Sequence, residues 1–297
     1  MAAKIFSPSS RPSLASDAPI GIFDSGIGGL TVAHAMAQAM PGERLLYFGD
    51  TAHMPYGDRS PELVRTYSVR IAQYLRDEGC KAIVIACNSA SATATDAVRE
   101  AVGQDIPVID VVQPVVQNLA RRRVERVGVI GTRATVGSGI YGRSLSKARE
   151  ASSLTGDLVE AAKEWPTPLL APLIEEGWHD HTLMDPVIES YLMAAGWLES
   201  DGQRIEALVL GCTHYPLAED AFRRVVGPEV ELVDGPSIVA LAVAEALEKR
   251  SLQAPQPSES PVHQFLVSDL TENFKRSAER FFGSEIPLHP GGPWFKG

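Results

Sequence analysis

Cysteine is scarce in this chain, with three in 297 residues. That excludes a disulfide framework and suits a reducing, cytoplasmic setting. Long apolar runs are missing as well. A membrane-spanning helix needs about 18 to 20 consecutive apolar residues; runs such as 82–86 and 207–210 are only strand-sized. Basic residues are outnumbered, 27 against 37 acidic, for a net charge of −10. A broad nucleic-acid-binding face would need the opposite balance. The one basic cluster, "RRRVER" at 121–126, reads as the solvated end of a helix. Cys87, Cys212 and His214 could supply three zinc ligands, but no CxxC or HxxxH spacing supports a metal site.

What the chain does have is a repeat. "IGIFDS" (20–25) lies over "VGVIGT" (127–132), each a short apolar strand entering a small-residue turn. "KAIVIACN" (81–88) aligns without a gap with "EALVLGCT" (206–213). Both octets run charge, alanine, three strand formers, a small residue, cysteine and a small polar residue. A third pair of strands ends at Asp110, 23 residues past Cys87, and at Asp234, 22 residues past Cys212. Helical patterns separate the strands: one from Ser60, a plausible N-cap followed by Pro61, and one from Met184. Strands that are apolar throughout and alternate with helices predict parallel sheets covered on both faces. The expected fold is α/β, with two pseudo-symmetric domains and the active site in the cleft between them. The expected boundaries are 19–112 plus 218–289 for the first domain and 113–217 for the second. Residues 1–18 are expected as a disordered tail and 290–297 as a loose one, while 251–261 is a Pro/Ser linker.

Ligands of open parallel sheets bind at the carboxyl ends of the strands. Cys87 and Cys212 sit at such ends, as do Asp24, Asp50, Asp110 and Asp234. Facing halves place two thiols on opposite sides of one substrate. Stereoinversion at a carbon acid needs that arrangement, because one group removes a proton from one face and another returns it to the opposite face. A thiol's unperturbed pKa of about 8.5 is tunable toward neutrality. A helix N-terminus after each cysteine is expected to favour the thiolate. His214 is placed to tune Cys212, and Asp24 lies on the Cys87 side. Cys80 has no counterpart in the second half and reads as structural. "GSGIYG" (137–142) fits GxGxxG literally but begins too far beyond its strand for a dinucleotide site.

"IGIFDSGIGGLTV", "YFGDTAHMPYGDRS", "IACNSASA", "LIEEG" and "VLGCTHYPL" together resemble the glutamate racemases of the wider aspartate/glutamate racemase family, over roughly residues 19 to 285. The resemblance implies a cofactor-independent enzyme that interconverts L- and D-glutamate for peptidoglycan synthesis. It implies Cys87 handling the proton of the D-enantiomer and Cys212 that of the L-enantiomer, with Asp24 beside the first thiol and His214 and Glu175 near the second. Glu176, adjacent to Glu175, is an equal candidate by sequence. Implied substrate contacts are Asp24, Ser25, Pro55, Tyr56, Gly57, Asn88, Ser89, Thr213 and His214. The chain departs from the family pattern at His53, where arginine is usual, at Ser89, where threonine is common, and at Thr167, where cysteine is frequent. A homodimer is the default assembly. An aspartate or other amino-acid racemase of the same family is the nearest alternative, and a non-catalytic binding or regulatory protein the more distant one.

Overall fold

The computed structural model describes residues 14–151, 162–198, 204–255 and 262–294. Residues 1–13 of the expected N-terminal tail, part of the 251–261 linker and the last three residues lie outside these. In chain order the strands are β1 (Ile20–Asp24), β2 (Leu45–Gly49), β3 (Ala82–Ile85), β4 (Val108–Asp110), β5 (Val127–Gly131), β6 (Lys163–Pro166), β7 (Ala207–Gly211), β8 (Glu231–Val233), β9 (Gln264–Val267) and β10 (Leu288–Pro290). The helices are α1 (Leu30–Ala39), α2 (Pro61–Asp77), α3 (Asn88–Val102), α4 (Gln113–Arg122), α5 (Arg133–Ser138), α6 (Ile140–Ala151), α7 (Leu170–Glu175), α8 (Met184–Ala194), α9 (Glu219–Val226), α10 (Gly235–Lys249) and α11 (Glu272–Phe282).

Two parallel sheets result. The first runs β10-β9-β2-β1-β3-β4 and the second β6-β5-β7-β8. The inner order β2-β1-β3-β4 is the order of the whole second sheet, so the sequence repeat is a repeat of topology. Registers agree as well: Phe23 faces Ile85 across β1 and β3, and Ile130 faces Leu210 across β5 and β7. Alternation along each strand feeds a core on either face. Phe23, Ile83 and Ile85 pack with Ile71, Leu75 and Val98 from α2 and α3. Ile20, Ile22 and Val84 enter a core shared with α1, α10 and α11, which continues into Ile130, Leu208 and Leu232 of the second sheet. Burial on both faces is why these strands are apolar throughout.

Local sequence accounts for the helix starts. Ser60 caps α2, its side chain accepting from Leu63 N–H at 3.3 Å, and Pro61 occupies the first turn, where its missing N–H costs nothing. Asp234 is the N-cap of α10, and Asp110, two residues before the N-cap Val112 of α4, binds the amides that lead into that helix. Asp110 accepts from Val112 and Gln113 N–H, each at 2.9 Å, and Asp234 from Ser237 N–H at 3.1 Å. These two strand-end carboxylates are spent on helix starts.

The segment 218–289, expected to belong wholly to the first half, divides between the two. β8 hydrogen-bonds to β7 in the second sheet, whereas β9 and β10 extend the first. The repeat explains this, since β8 is the counterpart of β4. At both ends the expected tails are partly anchored. Arg44 donates to the carbonyl of Asp17 and Lys81 to that of Ser16. Trp294 packs against α2 and the loop after β2. Among the described residues, no helix is long and apolar enough to cross a membrane.

Candidate active site

The carboxyl ends of the two sheets open onto one cleft. From the first half it is lined by Asp24 at the end of β1 and Ser25 just after it, by Pro55, Tyr56 and Gly57 after β2, and by Cys87, Asn88 and Ser89 after β3. The second half contributes Cys212, Thr213 and His214 after β7, and Glu175 at the end of α7. Every residue singled out from the sequence as catalytic or substrate-binding lies on this cleft except Glu176, the alternative to Glu175, although many are far apart in the chain. Among the described residues, no three His, Cys, Asp or Glu side chains converge as metal ligands would.

Both thiols are buried, at 5% and 6% relative exposure, so neither is fully closed off from the cleft. Their surroundings differ. Cys87 is the N-cap of α3 and contacts Ser25 Oγ at 3.8 Å. Burial, then the charge of Asp24, pushes its thiol well up, outweighing the amide of Ala90 and the groups of Ser25 that pull it down. The helix N-terminus alone, taken from the sequence to favour a thiolate, loses to desolvation here. Cys212 does not lead straight into an α-helix. A 3-10 turn at Tyr215–Ala218, with Pro216 inside it, precedes α9. The tuning group at this thiol is His214, whose Nδ1 lies 3.6 Å from Cys212 Sγ and whose Nε2 lies 2.7 Å from Glu175 Oε1. Burial pushes His214 down, but the sulfur of Cys212 and the carboxylate of Glu175 together outweigh it and raise the imidazole to about 10. Glu176, indistinguishable from Glu175 by sequence, is exposed and makes no such contact.

Asp24 is buried, and its Oδ2 accepts from Gly26 and Gly29 N–H at 3.2 and 3.0 Å. Burial raises its carboxyl against the pull of His214 and these amides, and Oδ1 has no protein partner. The glycine-rich turn "SGIGG" permits this close packing. A β-carbon on Gly28 would stand 2.5 Å from His214 Nδ1, and one on Gly29 would stand 2.6 Å from Asp24 Cβ.

Hydrogen bonds tie the two halves together around the cleft. Tyr141 OH donates to Asn88 Oδ1 at 2.7 Å, Ser89 Oγ lies 2.9 Å from Thr132 Oγ1, and Thr31 Oγ1 donates to the carbonyl of Thr213 at 3.1 Å. Thr132 also lines the cleft. It was not among the expected site residues, yet the repeat carried the signal, because Thr132 is the position aligned with Ser25. Tyr141 lies inside the "GSGIYG" run and has no motif signal. Thr167, at the position where cysteine is frequent in the family, is buried, its Oγ1 2.8 Å from Tyr215 OH. Cys80 lies in the core beneath β1 and β3, its thiol raised to about 12 by burial and by Glu78.

The family model described as Asp/Glu/Hydantoin racemase matches residues 30–244. The chain belongs to that family. A glutamate racemase of Chlorobaculum parvum is 40% identical over 279 residues, covering 94% of this chain and 97% of the relative. The glutamate racemase of Francisella tularensis, solved with D-glutamate, superposes with a TM-score of 0.83 at 32% identity, covering 94% of this chain and 98% of that one. The Thermus thermophilus glutamate racemase, solved with beta-chloro-D-alanine, gives 0.79 at 38% identity, covering 94% and 98%. Two α/β halves about a cleft are therefore the architecture that this family member shares with racemases of known structure.

Proposed function

We propose that the chain is a glutamate racemase that carries the α-proton on two thiols, with neither metal nor organic cofactor. The observation that carries this reading is the placement of Cys87 and Cys212 at corresponding strand ends of two like sheets, on one cleft. Glutamate as substrate rests on the relatives, which are glutamate racemases matched over almost their whole length.

In the L-to-D direction Cys212 removes the α-proton. The Cα–H bond breaks, its electron pair stays on the α-carbon and spreads into the carboxylate, and a new S–H bond forms. Cys87 gives its proton to the opposite face, leaving its sulfur as thiolate. The reverse reaction exchanges the two roles. The electrostatics suit this starting state. Burial and Asp24 keep Cys87 protonated, ready as the acid. His214, raised by Cys212 and Glu175 and so protonated, faces Cys212 Sγ at 3.6 Å. Asp24 lies beside Cys87 as a raised, buried carboxyl able to exchange a proton with that thiol. The hydroxyls of Ser25, Ser89 and Thr213, the amide of Asn88 and the first N–H groups of α3 supply donors for the substrate carboxylates.

The product D-glutamate fits a supply role in peptidoglycan synthesis. Three free cysteines fit a cytoplasmic location, and a homodimer is the assembly expected from symmetry, readable by sedimentation. The decisive experiment is circular dichroism of L-glutamate incubated with the purified protein and no cofactor. The signal should decay to zero. A persistent signal on L-glutamate with decay on L-aspartate would refute the substrate assignment.

A further inference from the structure

Asp50, a strand-end carboxylate with no part in the proton transfer, is fully buried and saturated with donors. Tyr56 OH donates to its Oδ2 at 2.6 Å. Its Oδ1 meets His53 Nδ1 at 2.8 Å, Ser268 Oγ at 2.9 Å and Trp294 Nε1 at 2.8 Å. Two of these partners, His53 and Tyr56, flank or form the loop 53–57 whose Pro55, Tyr56 and Gly57 line the cleft. The third and fourth come from beyond β9 and β10, more than 200 positions later in the chain.

Trp294 is held from both sides. Its ring meets His53 edge-on at 4.7 Å between centroids and Tyr67 at 5.6 Å. Tyr67 in turn stacks on Tyr56 at 5.9 Å. The Arg70 guanidinium lies 4.4 Å over the indole, and the same side chain donates to the carbonyl of Pro293 at 2.9 Å. The chain reaches this position through Gly291 and Gly292. Gly291 N–H donates to the carbonyl of Val267 at 3.0 Å, and Gly292 has φ +103°, where a side chain would overlap the Phe48 ring. A specific turn thus delivers one indole onto the carboxylate that anchors the substrate-facing loop.

We propose that Trp294 is a positioning residue: acting through Asp50 and His53, it fixes the loop 53–57 and so sets the affinity for the amino-acid substrate. It touches no residue that moves a proton, so its effect falls on binding and leaves the chemical step in place. The proposal rests on the racemase reading above. In a racemase the equilibrium constant between enantiomers is one, so kcat/KM is equal in the two directions, and with both kcat values unchanged both KM values must rise by the same factor.

The test compares Trp294→Ala, Trp294→Phe and Arg70→Met with the unmodified chain, measuring kcat and KM on both glutamate enantiomers. Losing one anchoring hydrogen bond with its ring contacts should raise both KM values about fivefold in Trp294→Ala, with kcat within about twofold. Trp294→Phe keeps the ring but not the N–H and should fall between the two. Arg70→Met, which loosens the indole without touching the loop, should shift KM in the same direction. KM is independent of the fraction of folded enzyme, so partial unfolding lowers apparent kcat alone. Unchanged KM in the alanine and phenylalanine variants, or a loss confined to kcat, overturns the proposal. If the unmodified chain racemises neither glutamate nor a related amino acid, the functional reading itself fails, which is a separate outcome.

Discussion

Glu175 Oε1 lies 2.7 Å from His214 Nε2, and the opposite ring nitrogen of His214 faces Cys212 Sγ at 3.6 Å. The three residues form a line from half-exposed carboxylate to buried sulfur, with the imidazole as the link. Because Glu175 helps raise His214, Glu175→Gln should lower that raised value. The protonated imidazole would then be lost earlier as pH rises, and the alkaline limb of kcat for L-glutamate should move to lower pH. A roughly tenfold fall in rate near pH 8 is expected, the scale of one charge-assisted hydrogen bond. Glu176→Gln, at the exposed neighbour, should stay within about twofold of the parent. A pH–rate profile of the two variants side by side separates them, and equal effects would remove Glu175 from its assigned role.

The two thiols should differ in chemical reactivity. Burial and Asp24 hold Cys87 as the thiol, and its folded value is raised, so it stays protonated well past the pH at which a free cysteine ionises. Cys212 faces a protonated imidazole up to about pH 10. Iodoacetamide at pH 8 should therefore label Cys212 before Cys87, with Cys80 last because it is fully buried in the core and does not reach the cleft. Peptide mapping by mass spectrometry gives the order directly, and faster labelling of Cys87 would contradict the electrostatic picture.

Replacing either site cysteine with alanine should abolish racemisation but not in the same way. The Cys87→Ala chain keeps the base for L-glutamate and should exchange its α-proton with deuterated water without inversion. Cys212→Ala should do this with D-glutamate only. Proton NMR of the α-position reads both. Full racemisation by either variant would exclude the two-base mechanism.

Gly28→Ala places a methyl group 2.5 Å from His214 Nδ1, closer than van der Waals contact allows. The imidazole must give way, and with it the contact to Cys212. Activity should fall by at least about a hundredfold, as displacements near 1 Å in catalytic geometry do, while circular dichroism keeps the folded signature. Cys80→Ala is the complementary control. It lies in the core beneath the first sheet and should lower stability by about 1 to 2 kcal/mol by leaving a small cavity, with racemisation unchanged. Denaturant unfolding and a rate assay on the same sample test both halves of that statement.

Much of this molecule could be read before folding. The octets around Cys87 and Cys212 specify their strands through β-formers that end in a small residue and a thiol, and local hydrophobicity decides that signal. The repeat in sequence is also a repeat in topology, β2-β1-β3-β4 and β6-β5-β7-β8, although the order itself and the strand β6 emerged only in the fold. The N-cap of α2 was legible for the same local reason. Ser60 and Pro61 need only their own neighbours to act.

What depends on distance in space was not legible. The choice between Glu175 and Glu176 turns on which carboxylate reaches His214, some 39 residues along the chain. The membership of β8 turns on its hydrogen bonds to β7. The balance at Cys87 turns on burial against a helix N-terminus, and only packing decides how much water is excluded. Trp294 looked like part of a loose tail, because nothing in "PGGPW" announces the Asp50 carboxylate that its indole meets. Sequence determined the chemistry on offer and the strands that carry it. Tertiary structure determined which groups share a dry cleft, and therefore which of them are charged.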